Sequence, residues 1–158
     1  MHSHYYEEKH FVEDISLFFE EVGLPRMAGR ILGVLLIASP PEQSIDELCH
    51  VLQASKSAVS TSARLLMETG LIERVPPPVP RRVYFRFKTG GWLIFMRQRM
   101  RLWSELHQIT ERGLELHRES DPALQERLQE AHAMFSLIEA DFPALLDRFE
   151  EEYVKSRM

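Results

Sequence analysis

The residues best placed to do chemistry lie in the stretch Ala54 to Ile72, "ASKSAVSTSARLLMETGLI". Ser55 stands in front of a helical pattern, and Lys56, Ser57, Ser60, Thr61, Arg64 and Glu68 recur at three- and four-residue steps. On a helix those steps put them on one face. Ser and Thr favour caps and turns over helix interiors, so their density here asks for a reason. They are small, and they both donate and accept hydrogen bonds. A helix front built from them can press into the major groove of duplex DNA without long side chains in the way. Their hydroxyls and the free N–H groups of the first turn suit phosphate oxygens. Lys56 adds charge, and Arg64 adds the bidentate donor set that matches guanine. The plainer alternative is that the serines are caps and tolerated surface residues. A basic segment following at the right distance favours DNA contact.

The elements that must position this face are legible around it. Val59, Ser62, Ala63, Leu66 and Met67 form the opposite, inward face, and Gly70 supplies the stop. Upstream, "SIDE" from Ser44 to Glu47 is a capping box opening a short helix whose inward side is Ile45, Leu48, Cys49 and Leu52. "QAS" then makes a tight turn, with Ser55 as the next N-cap. Downstream, "LIERV" alternates as a strand, "PPPVPR" excludes helix and central strand, and "RVYFRFK" reads as a second strand. The hairpin carries Arg81 and Arg82 beside a proline-stiffened tip, suited to a phosphate backbone or minor groove. Helix, tight turn, helix, strand, wing, strand is a winged helix-turn-helix. The expected fold class is mainly α with a small β-hairpin wing and long terminal helices.

Those terminal helices frame the module. Tyr5 to Val22 is amphipathic, with Phe11, Ile15, Phe18, Phe19 and Val22 at helical spacing. Pro25 opens a second helix, apolar nearly all round. A long helix runs from Trp92 to about Glu119, and Asp121-Pro122 opens the last one. Its seam is Leu124, Leu128, Ala131, Phe135, Ile138, Phe142, Leu145, Phe149 and Tyr153, a heptad pattern with a drift at its end. Pro143 predicts a kink or break near Asp141, with Asp141 capping a restarted helix. The organisation expected is an N-terminal dimerisation helix over 1–24, the DNA-binding domain over 25–90 and dimerisation helices over 91–158. The two apolar stripes exceed what one small winged helix can cover, which points to a homodimer.

The bulk numbers bound the alternatives. With 158 residues the chain can bury an ordinary core. The net charge of −5 conceals segregation: ten of 19 Lys and Arg, but only two of 24 Asp and Glu, fall between Ala54 and Arg101. A basic module on acidic supports fits a nucleic-acid partner. No apolar run approaches the ~20 residues of a membrane span, and the polar N-terminus lacks signal-peptide organisation. One cysteine, Cys49, fits a reducing cytoplasm and reads as a buried thiol rather than a redox sensor. His2 and His4 sit at a terminus, and His107, His117 and His132 have no cysteine cluster beside them, so no metal or other cofactor is expected. No nucleophile triad, phosphate loop or carboxylate pair stands out, which argues against an enzyme.

"SIDELCHVLQASKSAVSTSARLLMETGLIERV" resembles the DNA-binding part of MarR-type winged-helix regulators. "SKSAVSTSARLLMETGLI", the upstream "FFEEVGLPRMAGRILGVLLIASP" and "YFRFKTGGW" resemble the GbsR-like branch of that group. The resemblance covers about Phe11 to Met96, and the "PPPVP" tip departs from the more usual Gly- and Asp-containing wing. It implies a homodimer on a palindromic operator, usually a repressor under ligand control. It also implies, for some members, an effector with a quaternary ammonium group. Such a cation needs an aromatic cage, for which Tyr5, Tyr6, Trp92, Phe95 and Trp103 are the candidates. Ordinary core and interface packing of those rings is the favoured reading, so no ligand residues are assigned. The competing functional class is a winged-helix protein-interaction module without sequence-specific DNA binding. The concentration of basic residues on recognition helix and wing weighs against it.

Overall fold

The computed structural model describes residues 2–76, 81–119 and 122–157, and the side chains of 6–76, 81–119 and 122–156. In chain order the elements are α1 (His2–Glu21), α2 (Arg26–Ile37), β1 (Gln43–Ser44), α3 (Ile45–Leu52), α4 (Lys56–Glu68), β2 (Ile72–Val75), β3 (Tyr84–Phe87), α5 (Gly91–Leu116) and α6 (Pro122–Phe149). A π-helical turn (Glu150–Val154) and a 3-10 turn (Lys155–Arg157) follow α6. The chain divides into two compact units at Trp92–Leu93.

In the first unit, α1 lies close along α2 because two glycines permit it. A Cβ on Gly29 would stand 2.6 Å from the Ser16 Cα, and one on Gly33 2.9 Å from the Val12 Cα. Ser16 is fully buried there, and its hydroxyl donates to the Arg26 carbonyl at 3.1 Å. The apolar stripe of α1 therefore divides. Phe19 is buried with Val12 and Ser16, while Phe11, Phe18 and Val22 stay exposed. Ala28, Ile31, Leu32 and Leu35 of α2 join Leu48 and Leu52 of α3 and Val59, Ala63 and Leu66 of α4 in one core. Leu71, Ile72, Val75, Tyr84 and Phe85 extend that core to the sheet.

The expected two-stranded wing is a three-stranded antiparallel sheet, ordered β1-β3-β2. Gln43 and Ser44 pair with Phe85 and Tyr84 on the edge of β3 away from β2. Two residues carry no strand periodicity of their own; the unpaired N–H and C=O groups of β3 recruit them. One further bond, Ile45 N–H to the Val83 carbonyl at 3.1 Å, ties the start of α3 to the start of β3.

In the second unit, Leu93, Leu146 and Val154 are buried, with Met96, Met100, Phe142 and Phe149 packed on them. Trp103 meets Phe142 edge-on at 5.7 Å, and a Cβ on Gly113 would touch Leu128 at 3.2 Å. The α6 seam thus faces α5 of the same chain. No break occurs near Asp141: α6 runs on through Pro143, and Asp141 is an interior helical residue rather than a cap. Pro143 removes a single backbone donor, which packing on α5 offsets. Beyond Phe142 the buried positions pass to Leu146 and Val154, while Leu145 and Tyr153 are exposed. A strict seven-residue repeat drifts around a straight helix, and the π-helical turn adds to that shift.

Candidate nucleic-acid interface

The turn between α3 and α4 is made by Gln53, whose φ of 50° lies in the left-handed region, and by the N–H of Ala54 bonding to the Cys49 carbonyl at 3.0 Å. Both flanking helices are locked by side-chain caps. Ser44 Oγ accepts the Glu47 N–H at 3.2 Å, and Glu47 accepts the Ser44 N–H at 2.6 Å, completing the capping box. Ser55 Oγ accepts the Ala58 N–H at 3.2 Å at the front of α4. Gly70, at φ 77°, closes its other end. The carboxyl of Glu47 is held below the usual range, first by its bonds to Ser44 and then by the positive charge of Arg82.

This scaffold turns α4 so that Val59, Ser62, Ala63 and Leu66 are buried. Met67 is half-buried, as is Cys49 on α3. Ser55, Lys56, Ser57, Thr61, Arg64 and Glu68 are exposed together, and Ser60 is half-buried at the edge of that face. Two serines thus have structural duties that explain their type: Ser55 caps, and Ser62 is a small residue on the packed side. Ser57, Ser60 and Thr61 have no such role in the core, and they share their face with both cations of α4.

The wing residues occupy different places. Arg81 is exposed with φ 68°, and Arg82 is exposed at the foot of β3, within electrostatic reach of Glu47 on α3. Residues 77–80, which hold most of the proline tip, lie outside the described residues. The basic segment is also partly neutralised. Lys56 Nζ lies 3.2 Å from Asp46 Oδ1, so the acid of α3 steadies the first cation of α4. Arg86 bridges Glu73 at 2.8 Å, its partner across the β2–β3 ladder, and Glu42 at 3.6 Å. Arg97 pairs with Asp147 at 3.1 Å and Glu150 at 2.6 Å. Sequence counting could not separate these structural cations from those available to a ligand. The i-to-j spacing of Glu73 and Arg86 across a hairpin was the one signal present.

Among the candidate cage rings, Trp92, Phe95 and Trp103 each have a neighbour of their own. Trp92 lies 6.1 Å from Phe19 and 5.8 Å from Phe87, Phe95 lies under the Arg99 guanidinium at 5.1 Å, and Trp103 packs on Phe142. Tyr6 is exposed beside His10, and the side chain of Tyr5 lies outside those described. Among the described residues no three metal-ligating side chains converge, and no helix is long and apolar enough to cross a membrane.

A feature that the sequence pattern did not bring out lies on α5. Leu102, Leu106, Ile109 and Leu116 are exposed, at steps of four, three and seven residues. On α6, Met134, Leu137 and Leu145 are exposed as well. The α5 spacing is heptad-like, the same signal that the seam of the last helix carries in the sequence.

Comparison with known proteins agrees with this arrangement. Residues 22–83 match the MarR family, and residues 90–152 match the MmpR5-like MarR family transcriptional regulators. The HTH-type transcriptional regulator MmpR5 of Mycobacterium tuberculosis is 36% identical over 141 residues, covering 89% of this chain and 86% of that protein. A crystal structure described as a transcriptional regulator superposes with a TM-score of 0.76 at 34% identity, covering 92% of this chain and 99% of that one. These relatives are regulators of transcription. The chain belongs to the MarR family of winged-helix transcriptional regulators, on its MmpR5-like side.

Proposed function

We propose that the protein binds duplex DNA as a homodimer and represses transcription from a palindromic operator. The observation that carries this reading is the exposed face of α4. A helix capped by Ser55 and backed by a packed core presents Lys56, Ser57, Thr61 and Arg64 together. The first-turn N–H groups and hydroxyls are suited to phosphate oxygens, and Arg64, two turns further on, is suited to a base edge. Lys56 is pre-placed by Asp46, and a phosphate would take over from that carboxylate at little ordering cost. Arg81 and Arg82 act on the backbone or a narrow minor groove.

The dimer is supported by the apolar side chains left uncovered on α1, α5 and α6. Two-fold pairing would space two copies of α4 for successive major grooves. Repression then follows by occlusion of promoter DNA. A cavity of about 370 Å³ is bordered by Val12, Arg30, Val34 and Leu52. It gives an effector a place to shift α1 against α2 and α3, and so alter operator fit. The narrower GbsR-like placement, with its quaternary ammonium effector, rests on the sequence resemblance alone. Trp92, Phe95 and Trp103 already have neighbours within the chain, and we name no ligand.

The test is a salt titration of binding to duplexes selected from a random pool by the protein itself. The reading expects tight binding with a steep fall in log K against log salt. A protein-interaction module would select no sequence and show no such slope.

A further inference from the structure

Arg86 lies on β3, the middle strand of the sheet, with an acid on either side of it. On one side it stands opposite Glu73 of β2 in the register, and its Nε donates to Glu73 Oε1 at 2.8 Å. On the other side β1 pairs Gln43 with Phe85, and continuing that register by one residue sets Glu42 opposite Arg86. Arg86 Nη1 lies 3.6 Å from Glu42 Oε1. Glu42, Arg86 and Glu73 therefore form one row, acid, base, acid, that runs across the sheet. Opposite charges facing each other across a ladder stabilise it, and like charges destabilise it. Without Arg86, two half-buried carboxylates would flank β3 with no cation between them.

The row sits where the sheet has least else to hold it. β1 is two residues long, so few ladder bonds fix it. Yet Ser44, its second residue, is also the N-cap of α3, and the Ile45 N–H that follows bonds to the Val83 carbonyl at 3.1 Å. Whatever fixes β1 also fixes the start of α3, and α3 carries α4 through the tight turn at Gln53. Arg81 and Arg82 stand at the foot of β3 itself. The sheet is thus the joint between the α4 face and the wing arginines. The charge of the row argues against Arg86 as a DNA contact. One base between two acids leaves a net negative charge, which repels phosphate, and its Nε and Nη1 already face carboxylates of its own chain.

We propose that Arg86 is a positioning residue for DNA binding. By drawing Glu42 and Glu73 onto β3 it fixes β1, and with it the start of α3, so that the outward face of α4 and the wing arginines meet one duplex at a set spacing. This rests on the reading above that α4 and the wing both face DNA. Exposed ion pairs contribute little to overall stability, so the effect falls on geometry rather than on the folding equilibrium. A surface already held at its bound spacing has less ordering left to do when it binds, and affinity is gained there.

The test uses the full chain, the duplex it selects, and the variants Arg86→Gln and Glu42→Ala. The second variant removes an acid from a DNA-binding surface, so charge alone calls for tighter binding, whereas positioning calls for weaker binding. Each variant should weaken binding on the order of fivefold, since a lost pair counts once in each half of a two-fold dimer. The salt slope of Arg86→Gln should stay at the parental value, because no phosphate contact is lost. In the same proteins without DNA, the Ile45 amide should exchange several-fold faster while amides of α2 keep their protection. Parental affinity in both variants overturns the proposal, and so does tighter binding by Glu42→Ala. A flattened slope in Arg86→Gln overturns it as well, by making that residue a phosphate contact. Unchanged exchange at Ile45 overturns the hold of the row on β1 whatever the DNA result. A parent that selects no duplex overturns the DNA reading itself, and the positioning role with it, even where the exchange result shows that the row holds β1.

Discussion

The outward faces of α4 and α5 are opposites. On α4 the apolar residues turn inward and solvent meets Ser57, Thr61, Lys56 and Arg64. On α5 solvent meets Leu102, Leu106, Ile109 and Leu116, although the same helix also has an inward side built on Leu93, Met96 and Met100. A helix with one apolar face needs one partner; a helix with two needs a second. The polar face suits a highly charged ligand that brings its own hydrogen-bond acceptors. The apolar face suits a surface like itself, and a second copy of the chain provides one. Outward chemistry thus suits the two units to different kinds of partner.

The largest expected effect breaks the apolar side of that contrast. Leu106→Asp combined with Ile109→Asp should raise the dimer dissociation constant by about a hundredfold or more, since burying each side chain is worth about 1.5–3 kcal/mol. Sedimentation should show monomers whose helix content matches the parent. Parental association would mean that α5 meets something other than its twin.

A smaller effect tests the support of the polar side. Gly29→Ala places a methyl group against the Ser16 backbone, which cannot yield as a side chain would. The cost should be about 1–3 kcal/mol, read as a lower thermal midpoint. An unchanged midpoint would show that the α1–α2 approach is looser than its geometry.

The smallest effect concerns the capping box. Because the Glu47 carboxyl is lowered in the folded state, its contribution is present above the ordinary unfolded carboxylate range. That contribution is lost as the pH falls through the lowered value. Glu47 is exposed, so the amount is a fraction of ~1 kcal/mol. Glu47→Gln keeps the hydrogen-bonding reach and should remove this component of the acid sensitivity. A parental pH profile in that variant would remove the carboxylate's charge from the account.

What could be read from the sequence was local. The Ser44–Glu47 box and the Ser55 cap are fixed by residues three apart, so their pattern and their structure coincide. Features set by distant residues did not show. β1 exists because β3 offers an edge about forty residues later, and Ser16 is buried because Gly29 lets a second helix approach. Pro143 predicts a kink or break near Asp141, yet α6 runs unbroken through it. The α4 face was legible because its polar residues violate helix preference, whereas the α5 stripe was hidden by an inward face of the same composition.

The central claim is that the exposed face of α4 reads DNA, and Arg64→Ala tests it most directly. Affinity for the selected duplex and for a random duplex should be measured across a range of salt, beside Lys56→Ala. The account predicts that Arg64→Ala loses about 1–3 kcal/mol on the selected duplex and much less on the random one. It predicts that Lys56→Ala weakens both about equally and flattens the salt slope by about one for each phosphate no longer neutralised. If both variants bind both duplexes like the parent, the exposed face of α4 is not the DNA-reading surface.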